Sequence, residues 1–294
     1  MMRDIKKDLD EMLSRNKLVI SEEYLDEISN MPIAIIGIGG VGSVVAEQLV
    51  RIGARNLTIV ARGTYELGNV NRQIPATYLS VVSKIPKIYA MAQRLHAINP
   101  YLRLSAVNFD VVGEKNKLHE KLKEQDIKVL FNCVDEYYAQ MIVAELSDKL
   151  KVPMILGGVT NLGWNGIVSV YNPEGKIKYQ HIFNRHIQSL KNTLNENNNI
   201  DKEIKEYWLL SHKEEMPDWL KEKYLVNKDL PYPVITPVPW IVASFEVVEF
   251  IKLIIHSEDV VFFPRAIWIN TLNSRAEIID LRNIDIKNYL PWRP

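Results

Sequence analysis

Residues 33–43 read IAIIGIGGVGS and run on into VVAEQLVRIG. Apolar residues lead up to Gly37, and apolar positions then recur at helical spacing as far as Gly53. A strand that turns at once into a helix leaves no room for side chains in the turn. Glycines at 37, 39 and 42 meet that need, because they let two stretches of main chain approach closely. The start of such a helix also presents unpaired N–H groups, where negative charge is favoured. A second apolar strand, residues 57–61, completes a βαβ unit. The turn therefore predicts a nucleotide site, open at this point to NAD, NADP, FAD, ATP or S-adenosylmethionine.

The alternation continues. A helix is expected over 84–97, stopped by Asn99-Pro100, then a strand over 102–109, a charged helix over 115–124 and a buried strand over 128–134. A helix over 136–150 and a strand over 153–159 follow. This order predicts an α/β fold, a doubly wound, mostly parallel, Rossmann-like sheet. The stretch GIVSVYNPEGKIKYQHIF reads as two antiparallel strands about the turn at 172–175. Residues 184–232 are polar and lack apolar periodicity, so they read as an insertion and not a domain. A helix over 238–256 and a hairpin of AIWINT with AEIIDLR close the chain as an antiparallel extension. The expected division is a helical arm at 1–30, a nucleotide-binding domain at 31–180, a polar insertion at 181–236, and a helix and hairpin at 237–294 completing the same domain.

Composition narrows the partners. The 36 basic and 36 acidic residues cancel, which gives no global pull toward nucleic acid, and none is expected as a partner. The run PWIVASFEVVEFIKLII carries Glu246, Glu249 and Lys252 and is too short and too charged to span a bilayer, so no membrane is expected either. The one cysteine, Cys133, lies in an apolar strand and reads as a core residue, not as a nucleophile, a zinc ligand or half of a disulfide. With no apolar signal core in MMRDIKKDLDEML, a cytoplasmic location is expected.

The stretch LTIVARGTYELGNVNRQ, residues 57–73, sharpens the reading. An acid that holds ribose is expected at the end of the second strand, but the chain has Ala61-Arg62 there. Together with the glycine turn, Asn69-x-x-Arg72-Gln73 resembles the ubiquitin-activating-enzyme-like family (ThiF, MoeB, HesA). Gly37, Gly39, Gly40, Gly42 and Ser43 fit its GxGGxGS pattern. Lys87 matches the lysine of the next helix, and Asp135 in FNCVDEYY matches the acid after the fourth strand. GGVTNLGWNG at 157–166, VASFEVVEFIKLI with Glu249, and LSRN before the domain also fit. The likeness covers about residues 12–180 and 236–282.

The resemblance implies ATP- and Mg²⁺-dependent adenylation of a carboxylate on a ubiquitin-like protein or a ribosomal peptide. It assigns catalysis to Arg15, Arg72, Lys87 and Asp135, with Asp135 on the metal. Gly37, Gly39, Gly40, Gly42, Ser43, Arg62, Asn69 and Gln73 would hold the nucleotide. Arg15 would act on a partner subunit's site in a homodimer, whose interface would use the arm and the last helix around Phe245 and Phe250. The insertion, with Trp208, Trp219 and Tyr224, would lie over the site. These residue types suit the chemistry, since cations spread the charge of the phosphates and a carboxylate suits Mg²⁺.

The chain also departs from the pattern. Ala61 and Gly63 replace two acids, Lys84 stands at a glycine, Gln140 at an arginine, and TPVPW at a glycine-rich helix start. No cysteine is placed for a thioester relay, so the activated acyl group would pass to an external or internal nucleophile. Loss of one charge-assisted hydrogen bond weakens ATP by roughly 10- to 150-fold, which predicts a site led by its phosphate contacts. Two other classes remain at this stage. Ala61-Arg62 suits the 2′-phosphate of NADP in an oxidoreductase, and a degenerate, non-catalytic subunit would bind ATP without turnover.

Overall fold

The computed structural model describes residues 5–160, 163–180, 218–219, 222–223, 231 and 233–282. Trp208, Tyr224 and most of the expected insertion lie outside the described residues. Trp219 is exposed, with the Lys223 ammonium 5.4 Å from the centre of its ring.

Five parallel strands form the frame: β1 (Pro32–Ile36), β2 (Asn56–Val60), β3 (Arg103–Val107), β4 (Val129–Asn132) and β5 (Met154–Thr160). Three antiparallel strands extend it: β6 (Asn165–Tyr171), β7 (Arg265–Asn270) and β8 (Arg275–Asp280). They make one sheet in the order β3-β2-β1-β4-β5-β6-β7-β8. The chain builds outward from β1 to β3, then returns to the other side of β1 with β4. That reversal opens a crevice at the carboxyl ends of β1 and β4, where ligands of such sheets bind.

The inner parallel strands are mostly apolar on both faces because helices cover both, while the edge strand β3 is partly exposed. Ile33 and Ile35 face α3 (Gly42–Arg51), α5 (Lys87–Ile98) and a long C-terminal helix, α8 (Pro237–Ile254). Ala34 and Ile36 face α6 (Lys115–Glu124) and α7 (Tyr137–Leu150). Short helices α1 (Ile5–Met12) and α2 (Glu22–Asn30) make the arm, and α4 (Tyr78–Val82) precedes α5. Sequence periodicity starts α5 three residues early. Pro86 marks the boundary, and Lys84 before it holds a left-handed φ of 49°.

Two expectations are corrected. The segment after 172–175 is not the second strand of a hairpin: β6 pairs with β5 on one side and β7 on the other. The turn there is real, with Gly175 N–H donating to Asn172 O at 3.0 Å, but residues 176–180 leave the sheet. Tyr179 turns inward against Tyr171 and Phe263. The second correction concerns Phe250. It is fully buried and packs on Phe131 at 5.7 Å between ring centres, with Phe245 partly buried on the same core. Exposing such a ring to meet a second subunit would cost about 1.5–3 kcal/mol. The exposed apolar residues of α8 are Trp240, Ile241 and Val248 instead.

A close approach seats α8. At Gly157 of β5 a Cβ would lie 2.8 Å from Glu246 and Val242, and at Gly166 of β6 it would strike Val242. Glu246 is fully buried, and burial pushes its carboxyl well above the usual range. Glu249 is buried as well, but Lys252 and the Val261 N–H, which donates at 2.8 Å, satisfy its charge.

Between α3 and α5, Glu47 accepts from Arg94 Nε at 2.5 Å and from Arg51 Nη2 at 2.8 Å. Burial works to raise the Glu47 carboxyl, but the two guanidiniums win and hold it below its ordinary 4.5. A depressed folded value stabilises the fold above pH 4.5 and loses that contribution as pH falls through the folded value. Urea unfolding of wild type and Glu47→Gln should therefore differ most at neutral pH and converge as pH drops below about 4.5. A gap that widened on acidification would contradict this.

Candidate nucleotide site

The β1–α3 turn sets the geometry. Gly37 has a φ of 96°, and a Cβ there would lie 2.6 Å from the carbonyl oxygen of Cys133 at the end of β4. A Cβ on Gly42 would run into the Gly37 carbonyl, so only glycine lets the first turn of α3 close over the tip of β1. Beside Gly39 there is open space. No side chain caps the start of α3; the Ser43 and Val44 N–H groups donate to Gly39 O and Val41 O, and the positive end of the helix dipole faces the cleft.

That cleft has a volume of about 440 Å³. Its floor is Gly37–Val41, its sides the tips of β2, β4 and β5, with Gly157 and Gly158 at the β5 edge. Of the residues expected to serve the site, Gly37, Gly39, Gly40, Arg62, Gln73, Lys87 and Asp135 line it. Gln73 is buried there with no hydrogen-bond partner for its side-chain oxygen, an orphaned polar group that a ligand would satisfy.

Other expected residues shape the site from behind. Gly42 is part of the turn, and Ser43, fully buried, accepts from the Ile74 N–H at 3.3 Å. Asn69 holds the loop, its side-chain oxygen accepting from the Glu66 N–H at 3.1 Å, and Glu66 caps the same turn in return. Arg72 lies against Gly40, where a Cβ would be 3.2 Å from its Cγ, and donates to Gly68 O at 2.8 Å. Its loop is stapled to α8: the Trp240 indole donates to Arg72 O at 3.0 Å, and Thr236 Oγ1 to Asn71 O.

Lys87 opens α5 with its ammonium 5.7 Å from the centre of the Tyr65 ring. Burial pulls its pKa below the ordinary 10.5, Arg72 pulls the same way, and Asp135 and Glu66 resist. Lys87 thus feels the charges of Arg72, Asp135 and Glu66. No cluster of three metal-binding side chains occurs among the described residues. Asp135 alone suits Mg²⁺, which commonly takes one or two carboxylates and completes its shell with phosphate oxygens and water.

Arg15 is exposed and does not line this cleft. Its neighbour Asn16 donates to Arg51 O at 3.0 Å, and Leu13 fills the space beside Gly53. Both anchor the arm at the far end of α3, about 15 Å from the glycine turn. Arg15 therefore cannot serve the cleft of its own chain.

Arg62 is not free to receive a phosphate. Its Nη1 donates to Asp110 Oδ2 at 2.6 Å and its Nη2 to Glu136 Oε1 at 3.3 Å. An NADP 2′-phosphate would be set against two carboxylates, which argues against the oxidoreductase reading. Asp110 and Glu136 both line the cleft, and sequence patterns single out neither. Cys133 is buried, its thiol donating to Glu246 at 3.8 Å, and burial pushes its pKa well up, as expected of a core residue.

Comparison with known proteins agrees with this architecture. A model of the ThiF family matches residues 13–288. This chain belongs to the ThiF family. Over 142 residues it is 40% identical to the tRNA threonylcarbamoyladenosine dehydratase of Bacillus subtilis (strain 168), covering 48% of this chain and 54% of that protein. It is 26% identical over 170 residues to ubiquitin-like modifier-activating enzyme 5 of Drosophila ananassae, covering 55% of this chain and 42% of that protein. The chain thus spans about half the length of the curated relatives it matches. Among solved structures, selenomethionine PaaA superposes with a TM-score of 0.68 at 17% identity, over 93% of this chain and 83% of that one. MccB of E. coli with ATP gives 0.65 at 15% identity, over 92% and 71%. At such identities the likeness is one of fold.

Lys87 offers a direct test of the site's electrostatics. In an NMR titration of ¹³C-methylated lysines, Lys87 should deprotonate below the surface lysines. Asp135→Asn should move its midpoint lower still and Arg72→Ala should move it up, because these neighbours act with opposite sign. An unmoved midpoint in both variants would separate Lys87 from the cluster.

Proposed function

We propose that this chain is an ATP-dependent adenylyltransferase that activates a carboxylate on a peptide or protein. The observation that carries this reading is the gathering of Lys87, Arg72, Gln73 and Asp135 around the uncapped start of α3. A carboxylate is a poor electrophile at neutral pH. Its oxygen attacks the α-phosphorus of ATP, the bond from that phosphorus to the bridging oxygen breaks, and pyrophosphate leaves. The positive end of the α3 dipole faces the phosphate oxygens. Lys87 and Arg72 neutralise charge that grows on the transferring group and the leaving pyrophosphate. Asp135 would hold Mg²⁺, which would supply charge neutralisation for the phosphates. An external amine or thiol, or a group within the substrate, then opens the mixed anhydride. Cys133 takes no part, since its thiol is buried and kept protonated.

Arg15 completes the site from a second copy of the chain. Its place at the far end of α3, next to the exposed Leu18 and Val19 (82% and 87% accessible), supports a homodimer in which each arm, anchored on its own α3, offers Arg15 to the other chain's cleft. The peptide class is supported by the solved complexes of MccB with MccA, and the substrate of this chain would approach over the β5 edge of the cleft. The Bacillus relative is named for a tRNA nucleoside, which makes tRNA the competing carboxylate. The described residues contain no helix long and apolar enough to cross a membrane, and the use of ATP fits our proposal of a cytoplasmic enzyme.

ATP–pyrophosphate exchange tests the reading. Exchange should require a peptide or a protein C-terminus, and Lys87→Ala and Arg72→Ala should each lower kcat by about 100- to 1000-fold. Cys133→Ala should leave it unchanged. Exchange supported by tRNA alone would overturn the peptide class. ATP binding without exchange on any substrate would make the chain a non-catalytic subunit.

Subunit mixing tests the shared site. Arg15→Ala and Lys87→Ala homodimers should each be inactive, and the mixture should recover roughly a quarter of wild-type activity, because half the dimers then carry one intact site. No recovery after demonstrated subunit exchange would return Arg15 to a structural role.

A further inference from the structure

We infer that Asp110, held in place by Arg62, is the carboxylate that grips the nucleotide ribose in this chain, standing in for the acid missing from the end of β2. This rests on the ATP reading above and deepens it. The end of β2 offers only Ala61 and Gly63, neither of which can accept a hydroxyl proton. The next strand supplies what is absent. Val60 and Val107 are in register across the β2–β3 pair, and the Ala61 N–H donates to Val107 O at 3.2 Å. Residues just past Val107 therefore emerge about 4.8 Å from the place of the missing acid. The loop there folds back, so that Asp110 lines the cleft beside Val60, Ala61 and Arg62.

The carboxylate is held at both oxygens, and its backbone is held as well. Its Oδ2 accepts from Arg62 Nη1 at 2.6 Å and its Oδ1 from the Val112 N–H at 3.1 Å. Its own N–H donates to Glu114 Oε2 at 3.0 Å, which pins the loop. Each carboxylate oxygen has a second lone-pair direction, and a third of the side chain remains accessible. Arg62 is the positioning residue, since its other arm reaches Glu136 and ties the tip of β3 to the loop after β4. The three groups, two carboxylates and one guanidinium, carry a net charge of −1. Such a charge suits neutral hydroxyl donors and repels phosphate. The cleft is thereby divided, with cations at the start of α3 for the phosphates and an acid-rich corner at β2–β3 for the sugar.

Calorimetric titration with ATP, 2′-deoxy-ATP and 3′-deoxy-ATP tests this. Wild type should prefer ATP to at least one deoxy analogue by about tenfold or more. Asp110→Ala should weaken ATP by roughly 10- to 100-fold and bring ATP and the analogues to similar affinity. Asp110→Asn keeps an acceptor for the Val112 N–H and so protects the loop, and it should lose most of the same preference. Arg62→Ala should reduce the preference in part, because it only positions the acid. Wild-type chain that binds ATP and the deoxy analogues alike, or an Asp110→Asn variant that keeps the full preference, would overturn the role of Asp110 and leave the ATP reading standing. No ATP binding by wild type would overturn both.

Discussion

The contact on which the site depends is made without side chains. Gly42 closes the first turn of α3 against the carbonyl of Gly37, and Gly37 lies against the main chain at Cys133. Any Cβ at either place would push α3 off the tip of β1 or β1 away from β4. Two things follow from the closeness. The start of α3, with the positive end of its dipole, comes to the centre of the crevice, and the loop that follows Cys133 is drawn in with it, bringing Asp135 to the wall of the same cleft. The topology supplies the crevice; the glycines decide how deep it is.

Around that centre the charges are sorted. Lys87 and Arg72 stand near the start of α3, although burial makes a full charge on Lys87 costly. Evolution accepts such a cost where a ligand brings compensating charge. On the other side Arg62 is answered by Asp110 and Glu136, so it contributes orientation and little net positive potential. One arginine leaning on Gly40 and another committed to two acids are thus different tools, despite lying ten residues apart in one stretch of sequence.

How far these features could be read in advance depended on whether they were local. The β1–α3–β2 unit was legible because apolar period and glycine spacing are properties of adjacent residues. The family pattern named Lys87, Arg72, Gln73 and Asp135 because each follows a recognisable local feature: the loop after β2, the next helix and the end of β4. Asp110 was invisible, since it belongs to an irregular stretch and gains meaning only from the register of β2 with β3. Residues 176–180 alternate like a strand, yet Tyr179 is spent on an aromatic cluster with Tyr171 and Phe263. Phe250 resembled a surface anchor because α8 is apolar nearly all round, and only its packing on Phe131 tells its inner face from its outer one. At Lys84 the glycine expected from the family is gone, but its left-handed backbone is kept. The turn, not the residue, is what the fold requires there.

The position of α8 in the chain gives the molecule a history in time. Ile155, Val168 and Phe131 belong to a core that is finished only when Val242, Val247 and Phe250 arrive. The polar residues 181–236 come between them in the order of synthesis. At a translation rate of about 5–20 residues per second, the emerging sheet waits several seconds with that face uncovered. The Arg72 loop, which Trp240 and Thr236 hold from α8, waits equally long for its staple. A nascent chain of this protein is thus born with an open flank, the apolar bed of α8 standing uncovered until α8 itself arrives.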